Sequence, residues 1–504
     1  MEKEKMKFKK VLALFALGTA ACFLPGCRET PEKSAVVSKA DGLDESVIAA
    51  PLEEGQTRKA DMPKHWSAKH TSSDGKMTIT ADLDLEAPQL GNLPVLEMKN
   101  HKMTQEELEK LVHYFAEGQD LFVPKADTKE VYQKILDRIE KGEGAYSNEG
   151  DLYNMEIKGY VEKGLELAPE TSGPDQKAEV VFQKKSEDAA RNAAKGRAAE
   201  TKEQESYFVA DIGKGRESCI EAVTYDPDSG NDSSFTWKTG EAVSDELDIQ
   251  YYLRWNESGN TEYAARFQEL AERFHAALEK ETVTEEEGEV QARQVMEELE
   301  LPEMRVSSLE KILWFPKGSI PEEGSPGNSE DFLWQADLSK AAAGYRYTFT
   351  RKTNGLFLIR GGMALNGTGE VYAPPFPVET VQITVTENGV QAFSWEGISE
   401  ESAIVAENTE LLEFEEIQEW LFKQITYWYT QKKVPPEENM RFSYPVIGAE
   451  IGYTYIPAYE KPDCVWMVPA WNFQVMEQVN GRDMQYLEWT INALDGGVVG
   501  EILN

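Results

Sequence analysis

The sequence predicts an α+β fold of two or more domains, each with helices packed on twisted antiparallel sheets. Three observations carry this expectation. Helical and strand periodicities fall in separate runs rather than in βαβ alternation. Two Asn-Gly pairs, Asn354-Gly355 and Asn388-Gly389, lie between β-rich runs and mark tight hairpins. The chain has 504 residues, 40% of them hydrophobic, which is enough for a large core and too long for one.

The first element is a leader. Lys3, Lys5, Lys7, Lys9 and Lys10 precede an apolar run, Val11–Leu24, that stops at Leu24-Pro25-Gly26-Cys27. A basic start, a short apolar run and small residues read as a signal peptide over 1–26. The run is short of the roughly 20 apolar residues a membrane span needs. Its end resembles the lipobox of bacterial lipoproteins, with Leu24, Pro25 and Gly26 ahead of the lipid-bearing Cys27. Pro25 departs from the usual small residue there, and Cys22, after Thr19-Ala20-Ala21, is a competing position. The resemblance implies a lipid on Cys27, no other cofactor, and a place on the extracytoplasmic face of the cell membrane. A plain secretory signal is the alternative.

Residues 27–62 are poor in large apolar groups and carry Pro31 and Pro51, a composition that predicts a flexible tether about 30 Å in reach. An N-terminal domain is expected over 63–282. Lys76–Leu83 alternates as a strand, with Pro94–Lys99 as its expected partner. Thr104 and Glu107 have capping-box spacing before a helix with Leu108, Leu111, Val112 and Phe115 on one face. A second helix is expected over Asp127–Lys141, capped by Asp127 and Glu130 and stopped by Gly142. Residues 186–205 have helix propensity without an apolar face and read as a charged insertion. Strands are expected at Tyr207–Asp211, Cys219–Tyr225, Phe235–Lys238 and Glu246–Trp255, and a helix whose face includes Phe267, Leu270 and Phe274 closes the domain.

The C-terminal domain, 283–504, reads as two units of one helix followed by an antiparallel meander. The first helix opens on the box Thr284/Glu287 and precedes strands near Arg305–Trp314, Tyr345–Arg351, Val381–Thr386 and Val390–Trp395. The second, about Phe414–Tyr429, precedes strands near Val446–Tyr455, Val465–Val475, Gln485–Leu494 and Val498–Ile502. Eight of the eleven tryptophans lie beyond residue 310, so this half is expected to hold the better core.

Cys27 with Thr30-Pro31-Glu32-Lys33, Trp66, Tyr372-Ala373-Pro374-Pro375, Glu379 and Val390–Trp395 resemble an uncharacterised family of Gram-positive lipoproteins. That family carries no function to transfer. Val468-Pro469-Ala470-Trp471, followed by Ile491-Asn492-Ala493-Leu494-Asp495-Gly496, is similar to the final hairpin of PepSY-like domains and of YycI-type accessory regulators of envelope histidine kinases. The resemblance implies a helix on a twisted sheet and hints at regulation.

Charge and missing motifs narrow the function. Ninety acidic residues against 52 basic ones give a net charge of −38, and no basic run follows the leader, which argues against nucleic acid. The five histidines, at 65, 70, 101, 113 and 275, leave the remainder without imidazole, and no H-E-x-x-H, C-x-x-C, G-x-S-x-G or Walker loop occurs. His65 and His70 lack the spacing of a metal pair and read as surface residues. Ser308-x-x-Lys311 and Lys238-Thr239-Gly240 imitate penicillin-recognising motifs in the wrong order. Asp226-x-Asp228-x-Gly230-x-Asp232 departs from a calcium loop at the glycine and at Trp237, so a polar turn is the simpler reading. Gly213-x-Gly215 is a turn, and Glu285-Glu286-Glu287 the first turn of a helix. Trp466, Trp471 and Trp489 read as core rather than as a sugar platform. Cys219 and Cys464 read as separate thiols, with a disulfide as the alternative. Paired carboxylates cannot be chosen among so many acids from sequence spacing.

The expectation is a non-catalytic, lipid-anchored protein that binds an envelope protein or a small ligand in a sensory or accessory role. The alternatives are solute capture for a transporter and, behind that, a carboxylate-dependent envelope hydrolase.

Overall fold

The computed structural model describes residues 43–143, 152–183, 206–227, 232–245, 249, 261–280, 283–317, 319, 334, 336–364, 371–431, 440–458 and 461–502. The expected signal peptide, Leu24, Pro25, Gly26, Cys27, the charged insertion and nearly all of the strand expected at 246–255 lie outside those residues.

In chain order the strands begin with β1 (Arg58–Lys59), β2 (His65–Thr71), β3 (Met77–Asp84), β4 (Gln89–Leu90), β5 (Val95–Asn100) and β6 (Leu121–Phe122). Then come β7 (Tyr207–Ile212), β8 (Ser218–Val223), β9 (Ser234–Lys238), β10 (Gly240–Ser244), β11 (Met304–Pro316) and β12 (Ala342–Thr353). They are followed by β13 (Leu356–Phe357), β14 (Gly362–Ala364), β15 (Val371–Tyr372), β16 (Thr380–Thr386), β17 (Gly389–Glu396) and β18 (Ser399–Ala406). The last four are β19 (Phe442–Pro457), β20 (Cys464–Val479), β21 (Arg482–Asn492) and β22 (Val498–Ile502). The helices are α1 (Gln105–Ala116), α2 (Lys129–Lys141), α3 (Leu152–Leu167), α4 (Thr261–Leu278), α5 (Glu285–Glu298) and α6 (Phe414–Thr430).

Local rules account for most of these elements. Thr104 and Thr284 each accept from the backbone N–H three residues on, while Glu107 and Glu287 reach back to the cap N–H, so both capping boxes form as expected. The second helix starts two residues later than expected, after Thr128, without a side-chain cap, and Gly142 ends it at φ 63°. Asn354 and Gly355 both take positive φ, 50° and 83°, and turn β12 into β13.

Two ten-stranded sheets result, and together with the helices they make an α+β fold. The first runs β10-β11-β12-β16-β17-β9-β8-β7-β6, antiparallel throughout, with β13 added on β12. Its inner face packs against α1 and α5: Leu108, Leu111, Phe115, Ala292 and Val295 meet Phe235, Tyr347, Ile383 and Phe393 in one cluster. The second runs β14-β22-β21-β20-β19-β3-β2, with β5 on β20 and β18 on β5. Here β19 and β3 are parallel, as are β14 and β15 to β22. Helix α6 lies on this sheet, its Phe414 ring 5.2 Å from Trp66 and 5.1 Å from Trp471.

Three expectations are corrected. First, the chain does not divide near residue 282. Strands β7 to β10 complete the sheet of β11, β12, β16 and β17, and β2, β3 and β5 join the sheet of β19 to β22. Pairing partners far apart in sequence leave no local signal. Second, β5 does not pair with β3; it pairs with β18 and with the start of β20. Third, residues 43–62 are not tether. Asp44 caps a single turn at Glu45–Val47, Ala49 N–H donates to Asn408 O at 3.1 Å, and Asn408 Nδ2 donates to Ala50 O at 2.8 Å. Val47 and Ala60 are buried, and Arg58 donates to Thr409 O at 2.6 Å. A polar segment orders here because a buried asparagine satisfies its backbone. Any tether is confined to residues 27–42.

Among the described residues the chain passes between the two sheets four times, after β5, β13, β15 and β17, and the first and last of these crossovers run side by side. After β5 the chain passes through His101 into α1; after β17 it passes through Gly397 and Ile398 into β18, and His101 N–H donates to Ile398 O at 2.9 Å. Arg351, on β12 of the first sheet, locks the junction. It donates to Glu379 Oε2 from Nε at 2.7 Å and to Ser399 O from Nη2 at 2.9 Å, so it grips the start of β18 in the second sheet. Glu379 is fully buried and accepts from Trp395 Nε1 at 3.0 Å on its other oxygen. Burial pushes its carboxyl above the ordinary range, against the pull of Arg351 and Trp395. Ser399 Oγ lies 2.8 Å from the hydroxyl of Tyr455, on β19.

Removing one partner of a buried pair leaves the other uncompensated. Arg351→Met is expected to lower unfolding free energy by about 3–5 kcal/mol in urea titration, and Arg351→Met/Glu379→Leu to recover most of that loss. Equal losses in the single and double variants would contradict this account.

Candidate functional site: a half-buried carboxylate pair

Strands β19, β20 and β21 alternate between two environments. Ile451, Tyr453, Trp471, Phe473, Leu487 and Trp489 point into the core under α6. The intervening residues, Glu450, Asn472, Gln474, Glu488 and Thr490, share the opposite face. The register pairs Glu450 with Asn472, Asn472 with Thr490, and Gln474 with Glu488. Two acids thus stand on either side of β20, with an amide between them that accepts from Thr490 Oγ1 at 3.3 Å.

One end of this face is covered. Phe357 and Ile359, which follow the Asn354-Gly355 turn, are buried against Ala470. The Arg305 guanidinium lies 4.6 Å from the centroid of the Phe357 ring. The other end is open: Ile447, Met484 and Tyr486 are 50%, 46% and 43% exposed, an apolar fringe beside the acids. Both acids are half-buried.

Burial raises the carboxyl of Glu450, opposed by Arg305 and by a hydrogen bond with Asn472. Burial raises that of Glu488 too, the charge of Glu450 adds to it, and Arg360 opposes it. The Tyr486 hydroxyl is raised by burial and by both carboxylates. The charge of Glu450 thus disfavours ionisation of Glu488, in the same direction as burial. Such a pair accepts a cation or an N–H donor readily, because a positive ligand relieves the repulsion between them.

Sequence reading did not single out Glu450 or Glu488. The signal was present: each acid stands between two apolar residues, Ala449-Glu450-Ile451 and Leu487-Glu488-Trp489. What sequence could not supply was the register, which sets Glu450 opposite Asn472 and Glu488 opposite Gln474 on one face.

The other sequence candidates fall apart or prove structural. His65 is an exposed ion-pair partner, Nδ1 at 2.9 Å from Asp84 and Nε2 at 3.1 Å from Asp82, and the half-buried His70 ring lies 5.9 Å from that of Phe422. Among the described residues no group of three or more His, Cys, Asp or Glu side chains is placed to hold a metal ion. Ser308 pairs with Thr348 and Gly240 with Pro316, towards opposite ends of β11. Gly213 has φ 77° in the turn from β7 to β8, with no helix after it. Asp228 and Gly230 lie outside the described residues. Glu286 and Glu287 line an open groove with Val283, Val290, Gln291, Thr386 and Glu387. Trp471 and Trp489 are core residues and Trp466 is half-buried. Cys219 and Cys464 are free thiols, and burial raises both.

Of the residues behind the family resemblance, Cys27 and Thr30–Lys33 lie outside the described residues, and the others have separate structural partners. Glu379 touches Trp395, the Tyr372 hydroxyl donates to Asp495, and Trp66 Nε1 donates to Gln418 at 2.6 Å on α6. No helix among the described residues is long and apolar enough to cross a membrane. No protein-family model and no curated protein matches the chain. Among solved structures it is similar to the crystal structure of an uncharacterised protein from Eubacterium rectale ATCC 33656, at 11% identity, with 87% of this chain and 94% of that chain covered and a TM-score of 0.42.

A carboxyl raised on folding contributes stability below its unfolded value of 4.5, and that contribution is lost as pH rises through the folded value. Near neutrality both acids therefore weigh against the fold. Glu488→Gln is expected to raise the melting temperature at about pH 7 and to have little effect at about pH 4, where wild type is already protonated. A drop at pH 7 would contradict the direction of these shifts.

Proposed function

We propose that this chain is an extracytoplasmic lipoprotein, held at the cell membrane through Cys27, whose folded body acts by binding a cationic group of an envelope partner or ligand at Glu450 and Glu488. The carboxylate pair carries the reading. Two half-buried acids at the rim of an apolar fringe are unfavourable in the free protein and become favourable when a positive group sits between them. Tyr486, Met484 and Ile447 supply the apolar contact that a partner side chain would need. The basic leader ending at Cys27 supports the anchored location, and the net charge of −38 disfavours nucleic acid. Helix α6 across β19 to β22, with Trp471 beneath it, supports a PepSY-like or YycI-like C-terminal part and with it an accessory regulatory role.

A second reading has one observation in its favour. Neighbouring carboxyls with raised pKa values are what a general acid and its partner need, so the same pair supports a carboxylate-dependent envelope hydrolase.

The two readings separate by experiment. In calorimetric titration of the full-length chain with a short lysine-rich peptide, the binding reading expects saturable binding. Glu450→Gln/Glu488→Gln should weaken it at least tenfold, about 1.4 kcal/mol, whereas Cys27→Ala should leave affinity unchanged and abolish lipid labelling and membrane recovery. Turnover of cell-wall glycan fragments that is lost in the double Gln variant would instead support the hydrolase. Equal affinity in wild type and the double variant would remove the ledge as the binding site.

A further inference from the structure

His101 occupies the crossover between the sheets, and both its ring nitrogens face carboxylates. Nδ1 is 2.9 Å from Glu400 Oε2, on β18 of the second sheet; Nε2 is 3.0 Å from both oxygens of Glu107, in the first turn of α1, which packs on the first sheet. A neutral imidazole has one N–H and one lone pair, so it can donate to only one of these partners and must turn its lone pair on the other. Only the imidazolium satisfies both. Its backbone is fixed too: His101 N–H donates to Ile398 O, and His101 O accepts from Ser233 Oγ at 2.5 Å. The main chain that carries the ring is thus part of the paired crossovers.

From this geometry we infer that His101 is a proton-operated latch between the two sheets: protonated, it ties α1 to β18; neutral, it holds one and releases the other. The surroundings fit that role. Lys99, on β5, bonds Glu400 Oε1 at 2.8 Å and keeps that carboxylate ionised. Buried Glu379, held by Arg351, adds a further attraction to the imidazolium. Asp232, hydrogen-bonded to Asn100, completes the charged neighbours, and burial raises its carboxyl.

Burial works against the charge on His101, but the bonds to Glu107 and Glu400 outweigh it and raise its pKa above 6.5. Glu400 is lowered below 4.5 by Lys99 and then His101; Glu107 is lowered although burial opposes it, by the Thr104 backbone and His101. The latch's contribution is thus fully present at weakly acidic pH and lost as pH rises through the raised value of His101. The carboxylate contributions fail only as pH falls through their lowered values.

Hydrogen exchange of the full-length chain tests this, with amides 102–108 followed at about pH 5.5 and about pH 8 and corrected for intrinsic rates. Wild type should lose up to about tenfold protection there per pKa unit by which His101 is raised, with the His101 NMR titration at the same midpoint. His101→Gln should show low protection at both pH values, and Glu400→Gln a smaller pH dependence with the His101 midpoint lowered. Unchanged pH dependence in His101→Gln, or none in wild type, would overturn the latch. Should His101→Gln fail to fold, a Glu400→Gln variant with an unshifted His101 midpoint would overturn it equally.

Discussion

Arg351 reaches three parts of the chain from one side chain. Its own strand, β12, belongs to the first sheet; Glu379 leads into β16 of the same sheet; the Ser399 carbonyl opens β18 in the second. Neither sheet owns a contiguous stretch of sequence, and Arg351 ties together two of the connections that pass between them, the one entering β16 and the one entering β18. A buried ion pair contributes little net stability compared with apolar residues of the same shape, but it tolerates few alternative arrangements. In this fold it defines where one sheet ends and the other begins, and Trp395 and Tyr455 close the polar network around it.

Polar chemistry is therefore distributed unevenly. At the junction Arg351 and Glu379 each have two polar partners. On the open face of β19 to β21, Glu450 and Glu488 have fewer than two carboxylates can use, and they repel each other. Proteins concentrate such local cost where a ligand will relieve it. The contrast between a paired seam and a strained ledge is the strongest physical reason to place binding at the ledge and conformational control at the seam.

Sequence reading succeeded where structure is local. The boxes at Thr104 and Thr284, the Asn354-Gly355 turn, helix α6 and the four strands after it all follow from spacing of a few residues. It failed where the determinant is distant. Pro94–Lys99 was matched to the nearest strand, whereas its partners are β18 and β20. Residues 43–62 were read as tether because their own composition is polar; the asparagine that orders them, Asn408, lies hundreds of positions away. The boundary placed at 282 followed a change of texture between helices that does not coincide with any break in the sheets. Glu450 and Glu488 stand between apolar neighbours in the sequence, but only the register of β19 and β21 on β20 brings them to one face.

Strand β3 also bears on how the chain is made. It enters the second sheet only by lying parallel to β19, Met77 beside Phe442, and β5 only by reaching β18 and β20. The early β2–β3 hairpin and strand β5 must wait for the rest of that sheet until most of the polypeptide has been synthesised. For a cytosolic protein that delay would invite aggregation. Were the chain exported as proposed above, the same delay would be useful, because a sheet that closes late leaves the chain threadable until it has crossed.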